Sequence, residues 1–133
     1  KPAVAGIEVD RHVHTFVVGE ERGDISCKVR SMNTRLKEEG GHVPHTELVL
    51  KPLSEKEKED ELCGHAEKLA LAYGLLNTPD GTPLLVTKNL RMCRDCHSST
   101  EIMSRIEKRE IVVRDAHRVH RFVDGSCSCG GRP

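Results

Sequence analysis

Four residues in two short stretches could do chemistry together. His65 and Glu67 stand in Cys63-Gly64-His65-Ala66-Glu67-Lys68, and Cys93 and Cys96 in Cys93-Arg94-Asp95-Cys96-His97. One His and two Cys can hold a zinc ion and leave its fourth position for water, which distinguishes a catalytic site from a closed structural one. A Glu two residues after the His is not a ligand. It is placed to move protons between that water and a nucleobase, and His-x-Glu followed by Cys-x-x-Cys is the pattern such zinc enzymes share. Cys93 and Cys96 lie one turn apart, so both thiolates face one side of a helix start, where free N–H groups favour thiolate over thiol. A core histidine beside a structural Cys pair would leave Glu67 unexplained, an acid at the mouth of an otherwise apolar helix.

A second group of donors follows: His97, His117, His120, Cys127 and Cys129. A closed zinc site needs four ligands. Cys127, Cys129 and His120 supply three, and the spacing leaves His97 or His117 as the fourth. A second zinc would pin a tail that burial alone holds poorly. Cys27 and Cys63 have no partners by spacing and read as ordinary thiols. His12, His14, His42 and His45 read as surface or strand residues, although His42 or His45 could reach the first metal in a closed state.

These donors need elements to position them. Ile7 to Val18 alternates as a β-hairpin. Ile25, Val29, Met32 and Leu36 recur at helical spacing, and Gly40-Gly41 stops that helix. Glu47 to Leu50 reads as a short strand between prolines. Ser54 with Glu57 forms a capping box for a highly charged, solvated helix. Ala66 to Leu76 is apolar almost all round and should be central. Leu84 to Thr87 is a strand leading to Cys93. The helix after it turns Ile102, Met103 and Ile106 inward. Ile111-Val112-Val113 suits a buried strand, and Val119 to Val123 a final edge strand. The order strand–strand–helix–helix–strand–helix–strand–strand predicts an α/β fold, a three-layer sheet-and-helix domain.

Composition narrows the partners. The chain has 133 residues, 36% hydrophobic and 32% charged, with formal net charge zero. That suits one domain with a small core. No global field draws it to nucleic acid. Phe16, Tyr73 and Phe122 are the only aromatic residues, too few for a stacking platform, so a polynucleotide substrate would be held from outside the chain. No apolar run suits a membrane span. The first residue is Lys1 rather than Met, as in a piece of a longer protein. Paired Cys-x-x-Cys and Cys-x-Cys with nearby His indicate metal rather than disulfides, and a reducing compartment.

The chain resembles the DYW domain found at the C-terminus of plant organellar pentatricopeptide-repeat RNA editing proteins. The resemblance is carried by Lys1-Pro2 with Ile7-Glu8-Val9, His65-Ala66-Glu67-Lys68-Leu69-Ala70, Lys88-Asn89-Leu90-Arg91-Met92-Cys93-Arg94-Asp95-Cys96-His97, Val113-Arg114-Asp115, and Gly125-Ser126-Cys127-Ser128-Cys129-Gly130. It implies a cytidine-deaminase-like three-layer α-β-α sandwich over residues 1–133. Within that span it implies an opening box at about 1–9, a small gating insertion at about 42–60 and a zinc-binding tail at about 117–133. It implies two zinc ions, a catalytic one held by His65, Cys93 and Cys96 with Glu67 as proton carrier, and a structural one held by His97, His120, Cys127 and Cys129. The implied substrate is single-stranded RNA of a mitochondrion or chloroplast, positioned by upstream pentatricopeptide repeats outside this chain, with no membrane partner. Three departures from the family pattern stand out. The chain ends Gly131-Arg132-Pro133 rather than Asp-Tyr-Trp, opens Pro2-Ala3-Val4-Ala5-Gly6 rather than Pro-Gly-x-Ser-Trp, and has His65-Ala66-Glu67 rather than His-Ser-Glu. This combination is similar to the DYW:KP subgroup, which implies uridine-to-cytidine editing and an amino donor of unstated identity. The alternatives are cytidine-to-uridine deamination by the same chemistry, or a non-catalytic zinc module that docks editing partners.

Overall fold

The chain opens as the expected hairpin, with β1 at Val4–Val9 and β2 at His12–Val17. Their register pairs Val9 with His12 and Val4 with Val17. These positions come from a computed structural model that describes residues 2–130, apart from the side chain of Cys63. Lys1 of the opening motif, the Gly131-Arg132-Pro133 ending and the thiol of Cys63 therefore lie outside the described residues. The hairpin leads to α1 (Asp24–Glu38), which buries the predicted row Ile25, Val29, Met32 and Leu36.

The segment after α1 departs from its sequence reading. Glu47 to Leu50 is no strand; Thr46–Leu48 is instead a single 3-10 turn. Its N–H groups are satisfied locally, Leu48 on the His45 carbonyl and Val49 on that of Thr46. A strand needs a partner ladder, and here Leu50 is left 92% exposed. Then α2 (Glu55–Cys63) begins with the expected capping box, the Glu57 N–H donating to Ser54 Oγ and the Ser54 N–H to Glu57 Oε1.

Helix α3 (Ala66–Asn77) is the centre of the domain. It buries Ala66 through Ala72 and Gly74 without a break in its first half, in keeping with an apolar surface on all sides. Each fully buried Leu along it, such as Leu69 or Leu71, is worth roughly 1.5–3 kcal/mol. Gly74 lets the helix lie close on the sheet. A Cβ there would stand 2.6 Å from Ile7 Cδ1 and 2.9 Å from Leu84 Cδ2. Strand β3 (Leu84–Lys88), helix α4 (Arg94–Ile106) and strand β4 (Ile111–Arg114) follow. Met103 of α4 is fully buried, with Ile102 and Ile106 packed against the core.

The six-stranded sheet has the order β2-β1-β3-β4-β5-β6, with β5 at Val119–Val123 and β6 at Ser126–Cys127. Only β3 and β4 run parallel. Strand β5 is not the edge that its sequence suggests. Asp124 and Gly125, both at positive φ, form the two-residue turn that favours such residues, and β6 returns to pair Cys127 with Phe122.

The mixed α/β, deaminase-like class is thus the expected one. Registers Ile7–Val86, Val86–Val113 and Val113–His120 place these residues on one face. That face meets α3 and α4, and α1 stacks behind α3. Among the described residues, Val13, Leu85, Val119 and Val123 stay 40–66% exposed on the opposite face. No helix among the described residues is long and apolar enough to cross a membrane.

Candidate metal centres and active site

Two helix starts converge at the first candidate centre. His65 is the N-cap of α3 and Cys93 the N-cap of α4. An N-cap residue points its side chain past the helix end, so both reach one point. His65 Nδ1 lies 3.3 Å from Cys96 Sγ and 3.6 Å from Cys93 Sγ. The Cys96 N–H donates to Cys93 Sγ at 3.4 Å. One ligand atom from each of His65, Cys93 and Cys96 lies within 4.8 Å of the others. Ligands on tetrahedral zinc stand roughly 3.3–3.8 Å apart, so the observed separations suit that ion.

The two thiols are biased in opposite directions. Cys93 is pushed down to about 3, chiefly by its hydrogen bond with Cys96 and then by His65, against the effect of burial. Burial pushes the fully enclosed Cys96 up, and its bond to Cys93 adds to this. Binding a divalent cation would favour the deprotonated form of both sulfurs.

Glu67 occupies the first turn of α3 and is fully buried. Its Oε2 accepts from Lys88 Nζ at 2.6 Å, whereas Oε1 is buried with no hydrogen-bond partner. A buried orphan carboxylate oxygen is costly. Beside a three-donor group, it fits a site whose remaining occupants are a metal ion and a reacting molecule. Burial disfavours the Lys88 ammonium, but the charge and hydrogen bond of Glu67 outweigh it and hold the lysine protonated.

Asp95, between the two cysteines, forms the site's wall. It is fully buried and accepts from Lys68 Nζ at 2.6 Å and from the His45 N–H at 2.9 Å. His42 Nε2 stands 3.4 Å away. Burial opposes its charge, yet His42, Lys68 and the His45 N–H hold its carboxyl well below the usual carboxylate range. His42 is thus buried, not a surface residue. It and His45 meet Asp95 and stand outside the three-donor group.

The second cluster joins His97, His120, Cys127 and Cys129. His97 Nε2 lies 3.0 Å from Cys129 Sγ, and His120 Nδ1 3.6 Å from Cys127 Sγ. The other ring nitrogens face carboxylates, His120 Nε2 at 3.2 Å from Asp115 and His97 Nδ1 at 3.7 Å from Glu101. An imidazole shared between a metal and a carboxylate is the usual second-shell arrangement. Burial pushes His97 down to about 4 and lowers His120 as well, favouring the neutral imidazole that ligates metal. Burial raises Cys127 to about 11. The hairpin through Asp124-Gly125 is what delivers the Cys pair, because it seats Cys127 beside Phe122 in register. His117 stands apart, its Nε2 2.8 Å from Arg118 Nη2. The Cys27 thiol accepts from Arg30 Nη2 at 3.3 Å.

Lys88, Asp95 and Lys68 escape a reading based on ligand spacing. A signal for Lys88 exists nonetheless. Strand β3 alternates Leu84 in, Leu85 out, Val86 in, Thr87 out, and the same period turns Lys88 inward.

A three-donor group that could hold a metal ion stands beside a buried glutamate at two helix starts, on a deaminase-like α/β fold. Comparison with known proteins names the family. Residues 41–132 match the model described as the DYW family of nucleic acid deaminases, and the chain belongs to that family. It is 45% identical over 133 residues to the chloroplastic pentatricopeptide repeat-containing protein ELI1 of Arabidopsis thaliana, covering 98% of this chain and 21% of that protein. It is 44% identical over 132 residues to the chloroplastic pentatricopeptide repeat-containing protein CRR2 of the same plant, covering 97% and 20%. The chain thus spans about a fifth of the length of these relatives.

Proposed function

We propose that this domain edits pyrimidines in organellar RNA at a zinc site, and that its direction is uridine to cytidine. The carrying observation is Glu67, buried beside His65, Cys93 and Cys96 with one carboxylate oxygen unpartnered, in a chain of the DYW family. His65, Cys93 and Cys96 would hold the catalytic ion, and His97, His120, Cys127 and Cys129 a second, structural one. When bound, zinc supplies Lewis acidity at the carbon under attack.

This chain's residues handle the protons. In deamination, water adds to C4 of cytosine and ammonia leaves. In the reverse sense, an amine adds to C4 of uracil and the C4 oxygen leaves as water. In deamination Glu67 takes two protons in turn from the added water, passing the first to the ring nitrogen N3 and the second to the departing amino group. In amination the path reverses, with one proton taken from the incoming amine and one from N3, and both delivered to the departing C4 oxygen. The carboxylate begins and ends ionised. An enzyme does not shift the equilibrium, and water favours uracil, so amination needs a nitrogen donor or the exclusion of competing water.

The direction is supported by the altered ends. Ala5 of the variant opening box pairs with Lys88, and the Val4 N–H donates to Asn89 Oδ1 at 2.8 Å. The changed segment therefore abuts the lysine that holds Glu67. Arg132 replaces an aromatic residue of the family's ending and would orient an anionic donor or a phosphate. Residues 42–60 act as a gate whose near end rests on Asp95. The repeats named in the relatives, and the chloroplast in the names of ELI1 and CRR2, support single-stranded RNA in an organelle, addressed by repeats upstream of this domain. The deaminase description of the family favours cytidine-to-uridine conversion as the second reading.

The test joins the chain to a repeat array that addresses one RNA site and sequences the product for both edits. Cytidine at a targeted uridine, with a yield that depends on a nitrogen source, is the expected result. Clean cytidine-to-uridine conversion alone would overturn the direction. Glu67→Gln should keep its zinc and lose editing in either direction; editing near the parent level would leave a zinc module without this chemistry.

A further inference from the structure

We propose that Lys88 is a positioning residue for editing, which acts by fixing the plane of the Glu67 carboxylate; this rests on Glu67 being the proton carrier. Lys88 ends β3 with its side chain on the inner face, next to the fully buried Ala5 of β1. Only 6% of that side chain and none of Glu67 reach solvent, and Nζ stands 2.6 Å from Oε2. An ammonium on this face is costly to bury, and the pairing with a fully buried carboxylate is what offsets that cost.

The pairing is specific. Lys68, adjacent to Glu67 in sequence, sends its ammonium to Asp95 at 2.6 Å, whereas Lys88 arrives from another strand to meet Glu67. The lysine occupies Oε2 and leaves Oε1 without a hydrogen bond. A carboxylate free to turn about its terminal torsion would present either oxygen. Tethered at Oε2, it presents Oε1 in one orientation. A proton carrier serving an incoming nucleophile, a ring nitrogen and a leaving group in turn needs that constancy, because small misplacements of a catalytic group lower the rate steeply. The hydrogen bond of Lys88 goes to Glu67 Oε2, while Cys93 and Cys96 meet it through charge, and by this reading it does not touch the substrate. Its effect on proton transfer passes through Glu67.

The experiment compares Lys88→Met and Lys88→Arg with the parent domain, joined to the same repeat array. It measures zinc content, melting temperature, KM for RNA and kcat. The expectation for Lys88→Met is unchanged zinc, KM within about twofold, and kcat lower by about 10–100-fold, the usual range for an outer-shell partner. Lys88→Arg, which keeps the cation, should recover part of kcat. A Lys88→Met kcat within about threefold of the parent would overturn the proposal, as would a loss explained by missing zinc or raised KM. If Lys88→Met does not fold, Lys88→Gln takes its place under the same criteria. Glu67→Gln, run alongside, separates the two readings. If it edits near the parent level, the role of Glu67 itself fails. If it is inactive while the lysine variants are normal, only the role of Lys88 fails.

Discussion

Lys68→Met removes one half of a buried ion pair and leaves the other half in place. Asp95 is wholly enclosed and Lys68 is 4% exposed at its side chain, with Nζ 2.6 Å from Oδ2. After substitution the carboxylate keeps the His45 N–H and the His42 ring 3.4 Å away but loses its ammonium. Stranding a buried charge in this way costs about 3–5 kcal/mol. For 133 residues, the entropy of unfolding at the midpoint is about 0.28 kcal/mol per degree, so Tm should fall by about 11–18 °C. Calorimetry of the zinc-loaded domain measures it, with metal content checked in parallel. Adding Asp95→Asn removes the stranded charge, and the double variant should regain a good part of the loss, as neighbours in one network do not add. Asp95 also holds the backbone at His45, so amide exchange at residues 42–48 should quicken in Asp95→Asn. A fall below about 4 °C for Lys68→Met, or a double variant no more stable than Lys68→Met, would refute the reasoning.

Two further outcomes are expected. The purified domain should carry two zinc ions by elemental analysis, and Cys129→Ala should lose one of them together with thermal stability; a single ion that survives both Cys127→Ala and Cys129→Ala would remove the second centre. Ser54→Ala breaks the capping box of α2 and should cost about 1 kcal/mol, read as a melting shift of about 4 °C.

The sequence by itself determined the parts whose information is local. Spacing of one turn between Cys93 and Cys96, the row from Ile25 to Leu36, the Ser54–Glu57 cap and the apolar run of α3 all depend on periods that the backbone imposes. Tertiary structure decided what depends on partners distant in the chain. The inward end of β3 meets Glu67 because β3 lies against α3, and no spacing rule links positions 88 and 67. Of the two candidate histidines, His97 joins Cys127, Cys129 and His120, because α4 crosses β5 while His117 sits in the turn before that strand. Glu47 to Leu50 has the composition of a strand but lacks a ladder, so its backbone closes on itself at Thr46–Leu48. His42 leaves the surface because Asp95, 53 positions away, is buried beside it and carries a charge. Strand register and helix packing create these meetings, and neither is encoded within any one stretch of residues.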